Sequence, residues 1–156
     1  MGRKIGGVIV GYIVMAAFIF LSFTLLYLIL GTEGSFKPAS YQVSAVWLIA
    51  SLILGLIAAV IGGYVCVMIA KEQKTAYILA GIVLVLGILF ALPGLSVSDE
   101  EMNKVREGNV PNMEAMQNAK QPPLVLILNP IIGAVGVILG SRMKKTKASE
   151  FNEQTV

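Results

Sequence analysis

The chain has 156 residues, a net charge of +3, 56% hydrophobic residues and 13% charged ones, about half the charged share of an average soluble domain. That balance excludes a water-solvated globule. The basic residues flank apolar runs and do not gather into a patch, which excludes nucleic acid as a partner.

Four uncharged runs, about 5–30, 43–70, 75–95 and 122–141, reach the roughly 17–25 residues that cross a hydrocarbon core. None shows the polar face that a soluble helix presents to water. The chain therefore reads as all-α, a four-transmembrane-helix bundle forming one domain over 1–147. The segment 96–121 lies outside the membrane between the third and fourth spans, and 148–156 is expected to be a flexible tail. Arg3, Lys4, Lys71, Lys74, Arg142, Lys144, Lys145 and Lys147 fall on one side of an alternating bundle; Lys37, Lys104, Arg106 and Lys120 fall on the other. The positive-inside rule then expects both termini in the cytoplasm, with the basic side also able to bind anionic headgroups.

The first span opens with basic residues, as a signal peptide does. Its apolar run is too long for a signal core and no cleavage pattern follows, so a retained anchor is expected. Gly7 and Gly11 form a GxxxG pair, read as intramolecular packing. Gly31 and Gly34 suit a helix end and turn. Ser40 is expected to cap the second span, and Tyr27, Tyr41 and Trp47 to sit as interfacial anchors, with Phe36 dipping into the same layer.

The second span is the one on which the others are expected to pack. Ser51, Gly55, Ala59 and Gly63 recur every four residues beside a second row of Ala58, Gly62, Cys66 and Ala70, so one helical side is almost bare of bulk. Leucine at Gly55 or Gly62 is expected to overpack that side. Cys66 reads as a small packing residue. The short turn at Lys71–Lys74 predicts that the second and third spans are antiparallel neighbours.

Between the third and fourth spans, Ser98 and Glu101 match a capping box and Gly108 a helix stop. They predict a helix of about two turns with Met102 and Val105 on one side. Asn112 is expected to cap a second short helix bearing Met113 and Met116, stopped by Pro122 and Pro123. Helices this short need something to lie on, so Met102, Val105, Met113 and Met116 form the expected recognition surface. In the fourth span, Asn129 stands on one face with Gly133, Gly136 and Gly140, an intramembrane amide among small packing residues. It reads either as a hydrogen-bonding partner for freed backbone or a neighbouring helix, or as a functional site.

Chemistry is thinly represented. Asp99, Glu100 and Glu101 adjoin on one helix start and fan apart, which suits a solvated, dipole-favoured terminus better than a carboxylate pair. The methionines lack His or Cys companions for copper, and the histidine-free chain lacks the commonest general base. No metal and no cofactor are expected, and no enzyme. Proton-coupled four-helix exporters carry a membrane-embedded glutamate, and no span here holds a charge. The membrane glutathione transferases have similar length and helix number, but their basic catalytic patch finds no match.

The stretches LGTEGSFKPASYQVS, GLIAAVIGGYVCVMIAK, REGNVPNMEAMQNAKQPP and LNPIIGAVGVILGSR resemble a loose group of small four-helix bacterial membrane proteins without assigned function. The resemblance implies a multi-pass protein of the bacterial inner membrane and carries no activity. Two functions are expected. The first is an accessory, scaffold or subunit protein acting through helix packing and the external segment, its partners the bilayer and either another membrane protein or a second copy. The alternative is a small oligomeric transporter or channel for a neutral or lipid-like solute.

Overall fold

The computed structural model describes residues 1–153, with the side chains of Asp99 and of residues from 144 onward outside the description. The chain is an all-helical bundle: α1 (Gly2–Ser35), α2 (Ala45–Ala70), α3 (Lys74–Leu95), the short α4 (Asp99–Met102) and α5 (Asn112–Asn118), and α6 (Pro123–Glu153). No strand forms among the described residues. The helices α1, α2, α3 and, as far as Met143, α6 are long and apolar enough to cross a membrane, and the chain is a multi-pass membrane protein. The stretch expected as a tail continues α6 through Glu153; residues 154–156 lie outside the description.

The N-terminus and the α2–α3 turn share one end of the bundle, the basic end. The α1–α2 loop and the α3–α6 connection share the other, the cap end. Small residues set the packing. A Cβ on Gly11 would meet the Gly62 carbonyl at 2.8 Å, and one on Gly7 would meet the Cys66 carbonyl at 2.7 Å, so α1 lies backbone-close on α2. Gly63 faces the Val137 backbone, Gly140 the Val60 backbone and Gly136 the Ala59 methyl, which joins α2 to α6. Along the α3–α6 seam, Gly87 receives Pro130, Gly133 faces Val83 and Gly94 faces Leu126. In lipid such close approach replaces the hydrophobic force that drives packing in water.

This arrangement corrects the expected order of helices. Despite their short connection, α2 and α3 are not the main neighbours of one another; α6 packs extensively on both. Lys71 takes a left-handed conformation (φ 55°) at the α2 C-cap, and Gly63 of α2, like Gly87 and Gly94 of α3, turns toward α6. Around the bundle the sequence is α1, α2, α6, α3. The remaining seam, α1 with α3, is thin and includes Gly11 against Leu79 toward the basic end.

Four local expectations also change at the cap end. α1 does not stop at Gly31 but bends there (φ 63°, ψ −176°) and resumes to Ser35, a conformation that favours glycine. The cap of α2 is Ser44, not Ser40: its side chain accepts from the Trp47 amide at 3.1 Å. Tyr27, Phe36, Tyr41 and Trp47 are buried together with Val43, Val110 and Ala115, so they form a core in place of an interfacial belt. The helix begun by Ser98, whose hydroxyl accepts from the Glu101 amide at 3.3 Å, ends at Met102. Val105 then pairs with Ser40 in extended backbone, because long-range backbone bonds to the α1–α2 loop displace the local helical ones.

Candidate functional site: a cavity inside the bundle

The cap is fastened by side chains from both connections. The Arg106 guanidinium, 2% exposed, donates to Glu33 Oε1 at 2.8 Å, to the Ser40 carbonyl at 3.3 Å and to the Gly108 carbonyl. It also lies over the Phe36 ring. Its backbone amide donates to the Ala39 carbonyl at 3.1 Å. Deeper in, Tyr27 donates to the Val110 carbonyl at 2.5 Å, the Val110 amide donates to Thr32 Oγ1 at 3.4 Å, and the Thr32 and Tyr27 hydroxyls meet at 3.0 Å. Three groups thus satisfy one another in a closed ring. Tyr41 donates to Glu114 Oε1 at 2.8 Å; this bond, then burial, raises its pKa above the ordinary 10.0.

Beneath the cap the bundle is hollow. A cavity of about 340 Å³ is lined by all four long helices. Tyr12, Met15, Ile19 and Phe23 line it from α1, Gly55 and Ala59 from α2, Phe90 and Ala91 from α3, and Pro130 and Gly133 from α6. The polar side chains are few: Ser51, Gln121, Asn129 and the hydroxyl of Tyr12. Asn129 Nδ2 donates to Gln121 Oε1 at 3.3 Å. At a rise of 1.5 Å per residue, Asn129 sits about 9 Å below the first residue of α6. It therefore lies on the cap side of the middle of the span, about 6 Å from that middle. The seams α1–α2, α2–α6 and α6–α3 are tightly packed, Gln121 bounds the cavity toward the cap, and Gly11 meets Leu79 toward the basic end. The α1–α3 seam is the thin one, and Phe90, which lines the cavity from α3, is 76% exposed. A second hollow of about 270 Å³ lies against the same α1 side chains and reaches Met116.

The residues singled out in the sequence divide accordingly. Gly62, Gly63, Gly136 and Gly140 stand at close backbone contacts, Gly133 faces Val83, and Ala59 and Cys66 are buried. Gly55 departs from its expected packing role, since a Cβ there would meet nothing within 4 Å; its missing side chain is part of the cavity. Asn129 is exposed to the hollow and pairs with Gln121, not with a freed carbonyl or a neighbouring span. The four apolar residues of the 96–121 segment do not form one stripe. Val105 and Met113 are 67% and 60% exposed, Met116 overhangs the second hollow, and Met102 is half-buried. The anchors of the segment are instead Arg106, Val110 and Ala115. Gln121 was missed, although it stands eight residues before Asn129, near two helical turns; Pro122 and Pro123 between them obscured the pairing.

Fold and site together define a multi-pass α-helical membrane protein with an intramembrane cavity. No family model matches the chain, and no curated protein or solved structure matches it.

Proposed function

We propose that the protein binds a neutral, lipid-like molecule in this cavity, as the binding step of a small carrier and without catalysing a reaction. One observation carries the reading: the hollow is lined by all four long helices at the depth of the membrane-spanning segments, beside the thin α1–α3 seam. A molecule entering there comes from the bilayer. Its volume falls within the range of small-molecule sites, which are mostly apolar with a few placed polar groups, and Tyr12, Ser51, Gln121 and Asn129 supply those groups. The lining contains no carboxylate, amine or guanidinium, which favours an uncharged guest. The charge asymmetry of the chain supports a cytoplasmic basic end, and the resemblance to small bacterial membrane proteins supports the inner membrane.

Native mass spectrometry of the protein released gently from membranes tests the reading. The parent should retain a bound small molecule. Gly55→Leu, whose new side chain extends into open space, should fold and lose it. An empty parent, or equal retention by the variant, contradicts the proposal.

The accessory or scaffold role keeps support from the exposed Val105 and Met113, held outward by a rigid cap. If a protein covers them, Met113 oxidises more slowly in native membranes than in liposomes of the same lipids. Equal rates in both contradict that role.

A further inference from the structure

We infer that the guest is an uncharged single-chain amphiphile whose hydroxyl is held between Asn129 and Gln121; this rests on the cavity-binding reading above. The two amides share one hydrogen bond. Whichever way each amide is turned, that bond leaves one carbonyl oxygen and one NH2 group over. Neither residue has another partner among the described residues. Asn129 stands within the α6 span, where a polar group lacks the water that would satisfy it at a surface, and Gln121 stands two residues before that span, at the cap end of the cavity.

A hydroxyl answers both leftovers with one atom, donating to the free amide oxygen and accepting from the free NH2. An ester or ketone answers only the NH2. A carboxylate or phosphate brings a charge that nothing in the lining neutralises, and an ammonium finds no carboxylate. The hydroxyl is therefore the head group that the site matches best.

Size restricts the rest of the molecule. A dry protein cavity of about 150 Å³ accommodates benzene, so about 340 Å³ holds roughly a dozen non-hydrogen atoms. That is a head group with part of one chain. The remaining chain extends beyond the cavity, whose volume leaves none for a second chain.

Trp47 is the single tryptophan, and its ring centroid lies 5.9 Å from that of Phe23, which lines the cavity. It therefore reports on a heavy-atom quencher bound there. The full chain is reconstituted in liposomes and titrated with a monoacylglycerol, an ionised fatty acid and a diacyl phosphatidylcholine, each brominated near its head group. The monoacylglycerol should quench saturably, at a mole fraction about tenfold lower than either of the others needs. Replacing both amides (Asn129→Leu with Gln121→Leu) should remove about that tenfold advantage. Equal quenching by the fatty acid overturns hydroxyl recognition while leaving the cavity as a binding site. Saturable quenching by none of the three overturns the cavity reading itself. The ligand series on the parent protein decides between these outcomes even if the double variant fails to fold.

Discussion

Arg106 shows how much of the cap rests on one side chain. Its carbonyl partners lie in both connections, and only one of its partners carries charge. Arg106→Met should cost about 2–4 kcal/mol, because it removes three charge-assisted hydrogen bonds that tie the two connections together; reversible unfolding in micelles, followed by Trp47 fluorescence, measures it. Glu33→Gln should cost less than about 1 kcal/mol, since Glu33 is 71% exposed. Tyr41 adds a pH signature. Its folded pKa lies above the ordinary 10.0, so its bond to Glu114 contributes fully below that pH and is lost as pH rises through the raised value. Tyr41→Phe should then be less stable than the parent at neutral pH, with the difference vanishing in strong alkali. A difference that stays constant across this range refutes the assignment. None of this was legible in the sequence. Arg106 appears there as one charge in a polar stretch, and its partners Ser40 and Glu33 stand 66 and 73 residues away.

At the scale of the element, the membrane helices were legible because hydrocarbon imposes their length and composition. Their partners were not. Turn length argued for α2 beside α3, whereas Gly63 of α2 and Gly87 and Gly94 of α3 all turn toward α6. Packing contacts of backbone on backbone decide this, and the small-residue rows show where close approach is possible without saying to which helix. Gly63→Leu or Gly140→Leu should therefore break the α2–α6 seam and cost several kcal/mol, at or above the usual 1–3 kcal/mol for overpacking. Gly55→Leu, on the same helix as Gly63, should leave the unfolding midpoint nearly unchanged. Comparable losses at all three positions would show that Gly55 is packed. The short helices failed as sequence predictions for a related reason: α4 yields to cross-connection bonds, and Asn112 donates to Thr24 at 3.4 Å instead of capping α5.

Across the whole molecule, the bundle gathers its bonds at the cap and its closest helix contacts on three seams, leaving one seam slack. A hollow of this kind is a mismatch among side chains, so the hydrophobic pattern that predicts the helices is silent about it; Asn129 alone marked the place. Orientation is a matter of charge. A reporter active only in the cytoplasm should work when fused at Val156 and fail when inserted at Gly108, and the reverse would invert the proposed topology. The central claim is that a bilayer molecule occupies the bundle interior. Photolabelling with a diazirine-bearing monoacylglycerol, followed by peptide mapping, tests it most directly. Adducts should concentrate on the segments around Gly55 and Asn129 and be competed away by unlabelled monoacylglycerol. Adducts spread over the outward faces at Ile13, Ile49 and Val85, without competition, would show that the lipid touches only the outside of the bundle.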